Sequence, residues 1–220
     1  MPVTVGAESS GTCGENLTWT FEDGKLTISG SGEMQNFTSQ SDVAWSKHRF
    51  DIITITIEDG VTSIGDYAFA FCSEMVAYSI PDSVTRYGAY SFNGCSYLGA
   101  IKMSPNVKEI GDYAFAGCPA LYSVAFSSAI THISNSAFES CSGLEWITIP
   151  DNVTSIGDSA FAYCTSLEEI TIPNNVTTIG ESDFESCSVM KKVTMGESVK
   201  SIKPREFYGC TSLNSIVMKK

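Results

Sequence analysis

The sequence predicts a solenoid of stacked 23-residue coils, and three observations lead to this prediction. Seven of the eight cysteines recur at a constant step of 23 residues, and seven phenylalanines keep the same step three places earlier. Each copy also closes on apolar residues that alternate with polar ones, as in a β-strand. A regular period of about 20 to 50 residues indicates one structural unit copied along an axis. The two series are Cys72, Cys95, Cys118, Cys141, Cys164, Cys187 and Cys210, and Phe69, Phe92, Phe115, Phe138, Phe161, Phe184 and Phe207.

Each copy has enough apolar residues to line the interior of a coil, but one copy cannot bury them alone. In the copy from residue 153 to residue 173, the segment before the proline alternates as Ile170-Thr171-Ile172. Stacking of neighbouring units would add their apolar side chains to one continuous core. We therefore predict an α/β repeat solenoid whose inward residues in this copy are Val153, Ile156, Ala160, Phe161, Cys164, Leu167, Ile170 and Ile172.

The segment before each cysteine, such as residues 111–118, predicts a short helical turn. Aspartates at its start are placed to cap such a turn, because a carboxylate accepts free backbone N–H groups there. A glycine that precedes these aspartates in most copies indicates a turn with a positive φ angle. The aspartates are Asp66, Asp112 and Asp158, and the glycines are Gly65, Gly88, Gly111, Gly157 and Gly180.

The N-terminal part of the chain is predicted to cover the first coil, because the end coils of a solenoid otherwise expose apolar surface. Residues 12–50 form this capping segment, in which two alternating runs flank Gly24 as a β-hairpin. Trp19 and Trp45 are expected to pack on the first coil in preference to binding a ligand. Residues 1–11 are expected to be a flexible N-terminus, and residues 51–220 the solenoid.

No comparable cover follows the seventh strand, Ile216-Val217-Met218. An open sheet edge can pair with another chain, and Lys219 and Lys220 would oppose this only in part. We expect the solenoid to be truncated at this end, as part of a longer parent protein. The alternative is self-association through the uncapped C-terminal edge.

The charge of the chain is strongly negative and unevenly distributed. The formal net charge is −12; residues 1–190 hold 23 acids and 6 bases, which gives −17, and residues 191–220 hold 2 acids and 7 bases, which gives +5. The acidic bulk argues against nucleic acid or an anionic membrane as the main partner. The basic end is expected to be a solvated terminal repeat, with an anion-binding or docking edge as the alternative. No apolar run is long enough to insert into a membrane.

No pattern in the sequence indicates catalysis, a cofactor or a metal. The two histidines, His48 and His132, lack the Cys/His spacing of zinc sites, and no C-x-x-C pair is present. Phosphate-binding and serine-nucleophile motifs are also absent. The seven periodic cysteines are equivalent to one another, whereas a catalytic thiol needs its own base. We therefore predict a protein that is not an enzyme and whose periodic cysteines are free, buried thiols.

A family resemblance adds to this interpretation. The recurring pattern I-G-x-x-A-F-x-x-C-x-x-L-x-x-I-x-I-P, as in residues 156–173, resembles the BspA-like class of leucine-rich repeats over residues 51–220. The segment with Gly11-Thr12-Cys13-Gly14 and Trp19 is similar to the leader common in that family. The resemblance implies a curved right-handed leucine-rich-repeat solenoid with a concave parallel sheet. It also implies a secreted or cell-surface protein that adheres to other proteins.

The predicted binding surface is the concave face, since alternate residues of each strand point out of the sheet. The repeats disagree with one another at these positions, as expected where the scaffold is free to vary. We predict a module that recognises a protein or a glycan there, or alternatively a structural spacer that presents another domain. Trp146 is the strongest candidate anchor, although a lone surface tryptophan is the plain alternative. The candidate residues are Thr54, Thr56, Ser79, Lys102, Tyr122, Ser123, Trp146, Thr148, Glu169, Thr171, Lys192 and Thr194.

Overall fold

A computed structural model describes residues 9–219. The predicted flexible N-terminus therefore lies outside the described residues from 1 to 8, whereas residues 9–11 belong to a strand. The chain forms sixteen strands within the described range, and its one helical element there is a single 3₁₀ turn, Ser46–His48. The strands are β1 Ser9–Thr12, β2 Leu17–Glu22, β3 Lys25–Gly30, β4 Gly32–Glu33, β5 Thr54–Ile57, β6 Val61–Ile64, β7 Ala77–Ser79, β8 Arg86–Tyr87, β9 Ala100–Lys102, β10 Glu109–Ile110, β11 Ser123–Ala125, β12 His132–Ile133, β13 Ser155–Ile156, β14 Glu169–Thr171, β15 Lys192–Met195 and β16 Ser215–Met218.

The repeats form a β-solenoid in which most coils contribute a strand to each of two sides. The first side holds the predicted strands and pairs as β1-β2-β3-β5-β7, β9-β11 and β14-β15-β16. The second side pairs as β4-β6-β8-β10 and β12-β13, followed by a single parallel bridge between Ser155 and Thr178. Pairing between successive coils is parallel and shifts by 23 residues, as in Thr54 with Ala77. The predicted repeat solenoid is thus confirmed.

The predicted helical turn before each cysteine is wrong. In residues 65–72, the N–H groups of Ala68 and Ala70 donate within the segment, whereas those of Tyr67, Phe69 and Phe71 donate to carbonyls of the next coil. Tyr67 and Phe71 both have φ near +60°, a conformation that an α-helix cannot contain. A helix would use its N–H groups internally; this alternating turn leaves half of them free to bind the neighbouring coil.

The aspartates at the start of the turn also bind between coils. The Oδ1 atom of Asp112 accepts the backbone N–H of Asn135 at 3.0 Å, and Oδ1 of Asn135 accepts the N–H of Asp158 at 2.9 Å. Asp66 and Asp158 likewise accept an N–H 23 residues ahead. The capping prediction is therefore wrong about the donor, because these side chains satisfy the following coil and not their own turn.

The recurrent glycine is required by close packing and not by a positive φ angle. A Cβ atom at Gly111 would lie 2.4 Å from the backbone nitrogen of Ala89, and one at Gly180 would lie 2.4 Å from that of Asp158. Neither glycine has a positive φ. Left-handed residues instead lie two places later, at Tyr113 and Ser182. Backbones of successive coils therefore approach closely at these glycines, although Ser134 and Lys203 hold the same position in two other copies.

Two parallel ladders of side chains run through the interior. Successive phenylalanine rings from Phe69 to Phe207 lie 5.2–5.9 Å apart between centroids. All eight cysteines are free. From Cys95 onward, each periodic thiol lies 2.9–3.3 Å from the carbonyl oxygen of the phenylalanine 26 residues earlier and donates to it. The ladder thus satisfies the thiols without disulfides.

The predicted hairpin covers the N-terminal coil. Strands β2 and β3 pair antiparallel up to Glu22 and Lys25, and the turn between them has positive φ angles at Asp23 and Gly24. Trp45 is fully buried, stacks on Phe69 at 5.7 Å and donates its Nε1–H to the carbonyl of Ala68 at 2.9 Å. The indole therefore extends the phenylalanine ladder by one rung into the cap.

Candidate functional site

The strand registers place the predicted surface residues in two rows across the first side of the solenoid. Thr56 lies opposite Ser79, and Glu169 lies opposite Lys192, with Thr171 beside Thr194. Ser123 and Lys102 belong to the neighbouring pair β11 and β9. We call this outward surface of the first side the strand face. All twelve candidate residues are exposed or partly exposed on it: Thr54, Thr56, Ser79, Lys102, Tyr122, Ser123, Trp146, Thr148, Glu169, Thr171, Lys192 and Thr194.

The strand face is not one continuous sheet. Between β7 and β9, the phenol oxygen of Tyr78 accepts the backbone N–H of Lys102 at 2.6 Å. Tyr78 occupies the inward position that Ile101 holds in the next copy. Its longer side chain accepts the N–H group of Lys102, which would otherwise form a hydrogen bond between neighbouring strands. Residues 144–150 form no strand, so Trp146 and Thr148 lie between two separately paired parts of the face.

The strand face also has an apolar border, of which the sequence prediction included only Tyr122. Ile53, Val76, Tyr97 and Tyr122 are each 49–58 % exposed, as is Phe50 at the cap. We call these five residues the apolar edge. Ile53, Val76 and Tyr122 share one repeat position, directly after the inward residue that precedes each strand. Comparison of the copies at the position of Tyr122 would also have identified Ile53 and Val76, which strand alternation does not select.

The same border becomes charged in the later coils. The positions equivalent to Tyr122 hold Glu145, Glu168 and Lys191. The ammonium Nζ of Lys191 lies 2.8 Å from Oε2 of Glu168. Trp146 is 57 % exposed at this transition. A cleft beside it is lined by Glu145, Trp146, Ser166, Glu168 and Val189.

The basic C-terminal region is partly neutralised by its own neighbours. The Arg205 guanidinium lies 2.6 Å from Oε1 of Glu185 and lowers the pKa of Glu185 to about 2. Lys191 binds Glu168, and Lys200 donates to the carbonyl of Glu197 at 2.8 Å. These contacts favour the solvated terminal repeat over an anion-binding edge.

Two buried carboxyls distinguish the last coils. Asp183 is fully buried at a position held by alanine or serine in the earlier copies. Its Oδ1 accepts the N–H of Ala160 at 3.0 Å, and Oδ2 accepts the N–H of Gly180 at 2.9 Å. Glu206, one coil later, is 2 % exposed, and neither carboxyl oxygen has a hydrogen-bond partner within residues 9–219. Burial raises the pKa of Asp183 to about 7 and that of Glu206 to about 8.

The titratable groups of the interior are poorly suited to chemistry. Burial raises the pKa of the Cys72 and Cys164 thiols to about 12, so the reactive thiolate is scarce at neutral pH. Within the described residues, no group of three or more His, Cys, Asp or Glu side chains is arranged to hold a metal ion. In the same range, no helix has the length and hydrophobicity needed to cross a membrane.

Comparison with known proteins agrees with this architecture. The model of the BspA type leucine rich repeat region matches six copies, over residues 47–145 and 131–220. A leucine-rich repeat protein from Bacteroides ovatus has a similar structure, with 24% identity, a TM-score of 0.57, and coverage of 93% of this chain and 70% of that chain. A leucine-rich repeat protein of T. pallidum is similar at 22% identity and a TM-score of 0.57, with 99% and 81% of the chains covered.

The two solved structures share the fold with this chain at low sequence identity. No curated protein matches the sequence. The family match covers well over half of the chain and coincides with the coils described above. The protein therefore belongs to the BspA-type leucine-rich repeat family.

Proposed function

We propose that this protein is a non-enzymatic binding and adhesion module, secreted or held at a cell surface, which recognises a protein ligand through its strand face. The observation that carries the proposal is the exposed Trp146 among polar rows on a rigidly stacked frame. Tryptophan is among the residues that contribute most to interface energies. A preformed surface also loses little conformational entropy when it binds.

Two further observations support a protein ligand. Leucine-rich repeat domains generally mediate protein interactions. The inward positions of the repeats agree closely, whereas the outward positions of the strand face vary from Thr54 to Trp146 to Lys192. The apolar edge adds side chains that suit a protein surface better than water. A glycan ligand is the alternative that the aromatic residues would also serve.

A pull-down with a matched control tests the proposal. The test variant combines Trp146→Ala, Glu169→Ala and Lys192→Ala; the control combines Thr154→Ala and Thr177→Ala on the second side. Both sets of residues are exposed. We expect the test variant to lose more than about nine-tenths of a captured protein, because interface anchors dominate affinity, and the control to retain it.

The reverse pattern, or equal capture by both variants, would contradict the proposal. In that case the spacer function would be favoured, with binding carried by other parts of a parent protein. Equal unfolding free energies of the two variants are needed to attribute the loss to the face.

We also propose that the outer surface of the seventh coil permits contact between copies. Ile202, Tyr208, Ile216, Val217 and Met218 are 41–62 % exposed there. Exposed apolar side chains beside the outer strand of a sheet favour pairing with another chain. Sedimentation at the concentrations of the pull-down separates such self-association from ligand capture.

A further inference from the structure

Trp146 differs from the other two tryptophans and from its own repeat position. It is 57 % exposed, whereas Trp19 and Trp45 are 4 % and 0 % exposed. The other copies carry small or charged residues at this position: Thr54, Ala77, Ala100, Ser123, Glu169, Lys192 and Ser215. The large aromatic side chain is therefore a feature of one coil and not a demand of the repeat.

The cleft beside Trp146 combines one apolar wall with carboxylates. Val189, 37 % exposed, lies in the cleft with the indole, and Glu145 and Glu168 supply the charge. Glu169 follows on the next strand, also exposed. Glu145 forms no salt bridge within residues 9–219. The cleft thus has a free anion beside an exposed aromatic face.

The chain itself shows that this border accommodates a cation. The ammonium group of Lys191 already binds Glu168 at 2.8 Å. The formal charge of −17 over residues 1–190 favours the approach of a positively charged partner. An arginine side chain fits such a cleft, because its planar guanidinium stacks on an indole and binds carboxylates with paired N–H groups.

We propose that the cleft formed by Glu145, Trp146, Ser166, Glu168 and Val189 binds an arginine side chain of the protein ligand. This inference rests on the proposed function and deepens it, since it states the chemistry that the strand face recognises. The arginine stem lies against Val189 and the indole, and its guanidinium bridges Glu145 and Glu168. Apolar residues of the same partner segment extend toward Tyr122 and the apolar edge.

The fluorescence of Trp146 tests this directly in the full chain, because the other two indoles are buried. The probe is acetyl-Gly-Arg-Gly-amide, compared with the same peptide carrying citrulline, the neutral isostere of arginine. A Trp146→Phe variant gives the background signal. We expect a saturable change with the arginine peptide and at least a fivefold weaker response to citrulline, because about that factor separates a charge-assisted contact from a neutral one.

Two variants sharpen the test. The double substitution Glu145→Gln, Glu168→Gln should weaken binding of the arginine peptide about three- to tenfold. Lys191→Met should strengthen that binding about two- to fivefold, because it frees Glu168. The Lys191→Met gain cannot arise from misfolding. Equal responses to arginine and citrulline, or no effect of the glutamate changes, would overturn the inference. A response to methyl β-glucoside without one to arginine would overturn it and indicate a sugar site.

The pull-down separates failure of this inference from failure of the proposed function. Loss of capture in the Trp146→Ala variant with full capture in the Glu145→Gln, Glu168→Gln variant would contradict only the arginine site. Full capture in both would contradict recognition by the strand face as well.

Discussion

The first and the seventh coil place the same repeat chemistry in different surroundings. At the N-terminal end, Trp45 stacks on Phe69, and the hairpin buries both. In the seventh coil, Phe207 and Cys210 are only partly buried, and Ile216, equivalent to the buried Val193, is 43 % exposed. The comparison shows that a coil needs a neighbour on both sides to bury its inward side chains fully.

The carboxyls of the last two coils follow the same gradient. Asp183 lies between two coils and receives two backbone N–H groups. Glu206 occupies the equivalent place in the outer coil, where its oxygens are buried without a partner in the described chain. Alanines at this position, such as Ala114 and Ala160, bury no polar side-chain atom. The buried Glu206 carboxyl therefore costs the seventh coil stability that the copies with alanine retain.

The largest expected effect compares one phenylalanine in the middle of the ladder with one at its end. Phe138 lies between Phe115 and Phe161 at 5.5 and 5.7 Å, whereas Phe207 stacks on Phe184 at 5.9 Å. We expect Phe138→Ala to lower the free energy of unfolding by about 3–5 kcal/mol and Phe207→Ala by about 1 kcal/mol. Urea unfolding followed by far-ultraviolet circular dichroism measures both.

Equal losses from the two substitutions would contradict the difference between the ends. A loss confined to local order around residue 138, with the global transition unchanged, would show that the coils do not share one interior.

A smaller effect concerns Glu206 and pH. Its pKa is raised in the folded protein to about 8, chiefly by burial and then by Asp183, so the folded state holds a proton that the unfolded state releases near pH 4.5. Stability therefore falls as pH rises from about 4.5 to 8, with Asp183 adding to the fall up to about pH 7. We expect Glu206→Ala to stabilise the protein by about 1–2 kcal/mol at pH 8.

The control for this prediction is the same variant at pH 5, where the carboxyl is protonated in the wild type and the gain should shrink below about 0.5 kcal/mol. A gain that does not change with pH would show that the buried charge is not its cause. Thermal unfolding of both proteins at the two pH values provides the measurement.

The 23-residue period predicted the solenoid, the two interior ladders and the outward rows, because burial and alternation follow directly from spacing. It did not reveal how the turn is bonded. In the sequence, Asp112 near a turn indicates a helix cap and Gly111 indicates a positive φ angle, because both inferences use only adjacent residues. The true partners, Asn135 and Ala89, lie about one coil away. The interruption at Tyr78 likewise depends on a donor in the next coil.

The candidate face was predictable only in part. Alternation identified Trp146 and Glu169, and of the apolar residues that border the strands the prediction included only Tyr122. Val76 and Tyr97 are each 58 % exposed, and alternation along a strand does not select them because both precede the strand of their copy. The contact of Lys191 with Glu168 also spans one coil. These exposures and contacts are identified only in the folded structure, although the repeat period shows which positions to compare.

The coils share one interior that hides the row of thiols. Seven of the eight cysteines are buried, and Cys210 in the last coil is partly exposed. Labelling of the native, unreduced protein with 5,5′-dithiobis(2-nitrobenzoate) at pH 8 should therefore modify one thiol rapidly, with all eight reacting after denaturation. Rapid reaction of most thiols in the native protein would contradict the shared interior.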